Sequence, residues 1–175
     1  MSIHYCSCDI DPDLKPDVTG SVTSLPFEER TFDVACCFEV LEHLPIEQLK
    51  LALLQLKRVT REYILLSVPD VSPHVAFSIQ HILLSQFKVP SLKKIFSNPI
   101  YSLFKRKYWM LFCSLPAIFK QKHRFRGEHY WELGKRDFSH QWFAEEIIAC
   151  ELHIIQHFRN WHNPYHHFYV LKVSK

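Results

Sequence analysis

The sequence predicts an α/β fold, a mostly parallel sheet closed on its C-terminal side by an antiparallel strand pair. Three observations predict it. Phe32 to Phe38 is an apolar run broken only by Asp33, the pattern of a strand buried inside a parallel sheet. Ile46 to Glu62 places Ile46, Leu49, Leu53, Leu54 and Leu56 at helical spacing, and Tyr63 to Val68 is a second apolar run, so strand, helix and strand imply a right-handed crossover. Finally, Leu152 to Phe158 and His166 to Val173 read as two strands joined through Asn160-Trp161-His162-Asn163-Pro164.

In chain order, Ile3 to Cys8 is expected to be a strand, ended by Asp9-Ile10-Asp11-Pro12-Asp13, where Pro12 stops the ladder and leaves carboxylates at the strand tip. Pro16 to Val22 suits a short strand, and Thr23 to Arg30 a loop. The strand over Phe32–Phe38 then runs into Glu39, Glu42 and His43. Ligands in open parallel sheets sit outside the carboxyl ends of strands, so this polar cluster marks a candidate site. Ser139 to Cys150 is an amphipathic helix, with Trp142, Phe143, Ile147 and Ile148 on its apolar side.

At 175 residues the chain is one domain by length, long enough to bury roughly 70% of its unfolded surface. Its net charge of +3 conceals an uneven distribution. Residues 1–70 carry 12 acids and 6 bases, residues 71–127 carry 10 bases and no acid, and residues 128–175 carry 6 acids and 5 bases. The middle segment also loses the strand–helix alternation. Its prolines at 73, 90, 99 and 116 allow short helices at most. Six cysteines without a Cys-x-x-Cys pair predict a reduced, cytoplasmic chain, with Cys36 and Cys37 pointing to opposite faces of their strand. No signal peptide opens the sequence, and its apolar runs fall short of the ~20 residues that span a bilayer.

Taken together, Asp9-Ile10-Asp11-Pro12, Leu25-Pro26-Phe27, and Phe32-Asp33-Val34 running into Phe38-Glu39-Val40-Leu41-Glu42-His43-Leu44 resemble a class I S-adenosylmethionine-dependent methyltransferase of the type 11 subgroup. Gly127-Glu128-His129-Tyr130-Trp131-Glu132 and Asn163-Pro164-Tyr165-His166 resemble a bacterial or archaeal branch of it. The resemblance implies a Rossmann-like sheet and S-adenosyl-L-methionine as cofactor. It implies that Asp9 holds the ribose hydroxyls and that Ile10 packs on the adenine. Ser21 replaces an Asp that many relatives point at the adenine amino group, Val22 offers a backbone N–H to the ring, and Phe38 and Glu39 lie beside the methionine portion.

One family feature is absent. A strand and a Gly-x-Gly-x-Gly loop should precede Asp9 by about 20 residues, yet eight residues precede it here and the first glycine is Gly20. The sequence is therefore expected to be N-terminally truncated or degenerate, with direct pairing of the remaining strands, or a strand from a partner chain, as the other ways to close the sheet. It divides into a partial cofactor-binding core (1–70), a basic and apolar insertion or cap (71–127), and a helix and strand pair completing the sheet (128–175). Two functions follow as expectations. One is methyl transfer to an unidentified small or lipid-like acceptor, and the other is a non-catalytic methyltransferase-like binding module.

His43 and His129 are the candidate bases. Glu39, Glu42 and His43, at i, i+3 and i+4, resemble locally a divalent-metal arrangement of small-RNA 2′-O-methyltransferases. Carboxylates with one imidazole would suit Mg²⁺ or Mn²⁺. Nothing in the sequence names a fourth ligand, and no metal ligand is assigned. For the basic segment 71–127, an anionic membrane surface is favoured over nucleic acid, because its Lys and Arg clusters alternate with aliphatic and aromatic runs.

Overall fold

The computed structural model describes residues 3–80, 108–114, 120–159 and 164–174. A short parallel pair comes first, β1 (Cys8–Asp9) with β2 (Val18–Thr19). The strand expected over Ile3–Cys8 contracts to this two-residue ladder. Ser7, where pairing would have continued, instead gives its backbone N–H and hydroxyl to the Asp17 carboxylate at 2.7 and 2.8 Å.

Four further strands form the main sheet: β3 (Phe32–Phe38), β4 (Thr60–Pro69), β7 (Leu152–Arg159) and β8 (His166–Val173), in the spatial order β3-β4-β8-β7. β3 and β4 run parallel, with Cys36 opposite Leu65. β8 is antiparallel to both β4 and β7, so the antiparallel pair closes the parallel sheet as the sequence implied.

The crossover helix α1 (Ile46–Val59) ends three residues before the expected Glu62, and its last turn leads straight into β4. Glu47 in its first turn and Lys57 and Arg58 in its last match the sign of the helix dipole. Leu49, Ala52, Leu53, Leu56 and Val59 are buried along one stripe. At the junction the Thr60 hydroxyl donates to the Leu56 carbonyl at 2.7 Å. Helix α2 (His140–Ala149) is capped by Ser139, whose Oγ accepts the Trp142 N–H at 3.0 Å, and it buries Phe143 and Ile147.

Alternation along the strands sorts the sheet into two faces. Cys37, Ile64, Leu66, Val68, Tyr169, Leu171 and Val173 enter one core with the buried faces of α1 and α2. The intervening residues turn the other way. Cys36 is exposed and its neighbour Cys37 buried, so the two thiols do occupy opposite faces. Val34 and Phe38 stay 46% and 48% exposed, and no helix among the described residues packs over this second face.

Residues 73–119 form a compact unit separate from Met1–Ser72 with Lys120–Lys175. The expectation of short helices at most is overturned within it. β5 (His74–Gln80) and β6 (Tyr108–Ser114) pair antiparallel, from His74 opposite Ser114 to Gln80 opposite Tyr108. The four prolines of the segment all lie outside these two strands, which are rich in aromatic and aliphatic residues. Residues 81–107 and the link at 160–163 lie outside the described residues. Among the described residues no helix is long and apolar enough to cross a membrane.

The chain after β4 is fixed by close backbone approach. Val71 N–H donates to the Leu133 carbonyl at 2.9 Å, and Gly134, at φ +84°, donates to Phe138 at 2.9 Å. A Cβ on Gly134 would overlap the backbone of Ser72. Gly134→Ala should therefore cost about 2–3 kcal/mol, read as a lower urea midpoint at unchanged slope.

Candidate functional site

The carboxyl ends of β3 and β4 gather most of the polar chemistry. Glu39, immediately after β3, has φ +53°, a left-handed conformation that a non-glycine residue adopts at a cost of roughly 1–2 kcal/mol. Its backbone N–H donates to the Ser67 carbonyl at 3.1 Å, which ties it to the neighbouring strand. Its carboxylate accepts the Ser67 hydroxyl at 2.7 Å and lies 3.0 Å from His166 Nδ1. Three elements thus fix the direction of one side chain.

A 3-10 turn over Leu41–His43 follows. It buries Glu42 completely, and among the described residues neither of its carboxyl oxygens meets a hydrogen-bond donor. Burial pushes the Glu42 carboxyl up to about 8, and the charges of Glu39 and Glu132 push the same way. Glu42 therefore holds its proton at neutral pH, with Glu39 as the nearby carboxylate able to accept a hydrogen bond from it.

His43 is half exposed, with Nδ1 3.1 Å from the Glu128 carbonyl and Nε2 4.0 Å from Glu42. Its ring meets that of His129 edge to face, with centroids 4.9 Å apart. The segment carrying His129 is held against the turn by Tyr130 N–H donating to the Glu42 carbonyl at 2.8 Å. His129 Nδ1 lies 3.2 Å from Glu132, which also meets Lys135 at 3.6 Å and Tyr165 at 3.5 Å. The Tyr165 hydroxyl is pushed up to about 12, first by burial and then by the charges of Glu132, Glu39 and Glu42. It stays a proton donor throughout the physiological range. Glu42, His43 and His129 each offer a ligand atom within 4.8 Å of the others, a convergence that would take a divalent cation only once Glu42 gave up its proton.

Around β1, Asp9 Oδ1 accepts the Asp11 N–H at 2.9 Å, an Asx turn that fixes the carboxylate at the strand tip. Ile10 is 72% exposed beside it. Ser21 Oγ is shared with Thr23 at 2.8 Å, and Val22 packs against the core. Gly20 leaves no room for a side chain, since a Cβ there would lie 2.7 Å from Pro26. The Leu25-Pro26-Phe27 loop is clamped from α1, Arg58 donating to the Phe27 and Leu25 carbonyls at 2.6 and 2.8 Å.

A second cluster lies at the end of β4. Asp70 is buried, with Oδ2 3.0 Å from His167, 3.2 Å from His140 and 3.0 Å from Arg159 Nε, while Arg159 Nη2 reaches its other oxygen. Burial opposes ionisation of Asp70, but the hydrogen bonds from His140, His167 and Arg159 outweigh it and hold the carboxyl well below the usual range. His167 passes the chain of contacts on to His157 at 3.0 Å. Asp70, His140 and His167 also converge within 4.8 Å, but Arg159 already neutralises the carboxylate.

The structure thus brings His43 and His129 together, and places Glu39 with Ser67 and His166 at the end of β3. Asp9, Ile10, Ser21 and Val22 belong to the separate β1–β2 region, and Phe38 points onto the second sheet face. Sequence reasoning singled out neither Ser67 nor the buried state of Glu42. The proximity of Tyr165 and His166 to this cluster had a signal in the Asn163-Pro164-Tyr165-His166 stretch.

Residues 5–64 match the family described as a methyltransferase domain. Among solved structures, an S-adenosylmethionine-dependent methyltransferase from Clostridium acetobutylicum is similar at 13% identity and a TM-score of 0.53, over 96% of this chain and 74% of that one. A protein from Pyrococcus horikoshii is similar at 11% identity and a TM-score of 0.52, over 95% of this chain and 72% of that one. The 1,6-didemethyltoxoflavin-N1-methyltransferase of Burkholderia thailandensis, solved with S-adenosylhomocysteine, shares 12% identity at a TM-score of 0.49, and this chain spans 60% of its length. No curated protein matches the chain. The fold is that of the class I S-adenosylmethionine-dependent methyltransferases. Residues 5–64, from before β1 into β4, carry the sequence pattern of their methyltransferase domain.

Proposed function

We propose that this domain binds S-adenosylmethionine and transfers its methyl group to an acceptor. The observation that carries the reading is Glu39. It is a strained residue at a strand end, inside the stretch matching the methyltransferase family, with its carboxylate fixed by Ser67 and His166. The donor set around β1 fits the cofactor's nucleoside, with an oriented carboxylate at Asp9 for two hydroxyls and an exposed aliphatic face at Ile10 for a ring. Ser21 and Val22 would border the adenine, and Phe38 and Glu39 the amino-acid portion.

When bound, the cofactor supplies an electrophilic methyl group, and such a transfer asks the protein mainly for alignment and a route for the acceptor's proton. His43 and His129, in ring contact, would take that proton, with Glu132 orienting His129 through Nδ1. The acceptor is proposed to be small or lipid-like. The ten bases and no acids of residues 71–127 would bring the domain to an anionic membrane surface.

Calorimetry with S-adenosylhomocysteine tests the reading. Micromolar binding is expected, and Asp9→Ala should weaken it roughly 100-fold, the loss of two charge-assisted hydrogen bonds. Absence of binding by the intact chain would sink the proposal. Binding without turnover on any acceptor tried would favour the non-catalytic module.

A further inference from the structure

Proton transfer accounts for neither the burial of Glu42 nor the direction of the two imidazoles beside it. Glu42 is fully buried, and both of its carboxyl oxygens lack a donor among the described residues. The charges that act on it, Glu39 and Glu132, have the same sign as its own carboxylate. Buried polar groups are nearly always partnered, so a pair of empty carboxyl oxygens points to a partner of another kind. The imidazoles are oriented as well. His43 Nδ1 lies 3.1 Å from the Glu128 carbonyl, and His129 Nδ1 lies 3.2 Å from the Glu132 carboxylate. Both acceptors take an N–H, so each Nδ1 carries the proton and each Nε2 keeps its lone pair. An imidazole steered through one nitrogen by a carbonyl or carboxylate is how a metal-bound histidine is usually held.

We propose that Glu42, His43 and His129 bind a divalent transition-metal ion. Glu39, which the sequence spacing groups with Glu42 and His43, is engaged by Ser67 and His166 instead. With His129 in its place the donor set is one carboxylate and two imidazoles. That set turns the preference from Mg²⁺, which favours oxygen ligands, towards Zn²⁺, Co²⁺ and Fe²⁺. His43 Nε2 stands 4.0 Å from Glu42 Oε1, and two ligands of one ion lie about 3–3.5 Å apart, so a small rotation of the His43 ring closes the set. The His43 side chain is 50% exposed, which leaves coordination positions for water or an acceptor oxygen, as in catalytic rather than closed structural sites. As the ion enters, the Glu42 proton leaves to solvent and the carboxylate forms against the metal. The site stands whether or not the domain transfers methyl groups. If it does, the metal-bound acceptor oxygen loses its proton more readily, and the two histidines act as ligands in place of bases.

Calorimetry of the full chain, stripped with a chelator and titrated with Zn²⁺ in the absence of cofactor, tests this apart from the methyl-transfer reading. One ion per chain with a micromolar or tighter Kd is expected. Glu42→Gln and His129→Ala should each weaken binding by roughly tenfold or more, and Glu132→Gln by about tenfold through the orientation of His129. His43→Ala, at a half-exposed position, decides the matter if a variant at the buried Glu42 fails to fold. Bound Co²⁺ should show the visible absorption of nitrogen and oxygen coordination and shift the ring resonances of His43 and His129. The chain has 12 histidines, and Asp70, His140 and His167 also converge, so His140→Ala is the control and should leave the affinity unchanged. Absence of binding up to about 100 µM Zn²⁺ overturns the proposal. So does binding that survives Glu42→Gln, His43→Ala and His129→Ala, or binding that is lost with His140→Ala, which would make the ion adventitious or place it at the other cluster.

Discussion

Asp70→Asn is expected to lower the unfolding free energy by about 3–5 kcal/mol at pH 7, the scale for removing one partner of a buried charge pair. The substitution leaves the Arg159 guanidinium facing a neutral amide and deprives His167 and His140 of a shared acceptor. The pH dependence follows from the direction of the shift. A carboxyl held below its ordinary value of 3.8 stabilises the fold fully above that pH. It loses that contribution as acid protonates it. The carboxylate's share of the gap between wild type and variant should thus be present above about pH 4 and shrink as pH falls below it, while the histidines that Asp70 meets add their own pH dependence nearer neutrality. Urea unfolding at several pH values measures it, and a gap under 1 kcal/mol at pH 7 would show that the cluster is slack.

Glu42→Gln should have the opposite signature. The folded protein keeps a proton on Glu42 up to about pH 8, whereas the unfolded chain releases it near 4.5. The folded state therefore binds more protons across that window, and stability falls as pH rises through it, by on the order of 3–5 kcal/mol in all. Gln is a neutral isostere and removes the slope. The variant should match wild type at pH 5 and exceed it by several kcal/mol at pH 8.5. Equal stability of the two proteins at pH 8.5 would mean that Glu42 finds a counter-charge in solution. Carboxyl chemical shifts of Glu42 across the same range provide a second readout.

These two residues also mark where the sequence stops being informative. Phe32 to Phe38 was legible as a strand because six of its seven positions are apolar or small, with only Asp33 between them, and its bounds agree with the structure. The Ile46 helix was legible from its stripe, although its end was not, since Thr60, Arg61 and Glu62 carry no helix stop signal and join β4 through pairing with β3. The β5 and β6 strands were missed because their register partners lie 28 to 40 residues apart, and prolines between them suggested disruption. Glu39, Glu42 and His43 stood out by type and spacing. That Glu42 lacks a donor, or that His43 meets His129, depends on a contact between positions 86 residues apart. The Asp70 cluster drew on five residues from β4, α2, β7 and β8 that no local pattern unites.

The backbone at Glu39 carries one more consequence. Glycine would occupy φ +53° without strain, and asparagine nearly so, at a gain of about 1 kcal/mol over glutamate. Any search that ranks substitutions by thermal stability alone will therefore be drawn to this position. It would also delete the carboxylate that Ser67 and His166 hold in place. Robustness and chemistry pull in opposite directions on a single side chain, and engineering of this domain should treat Glu39 as fixed before it optimises anything else.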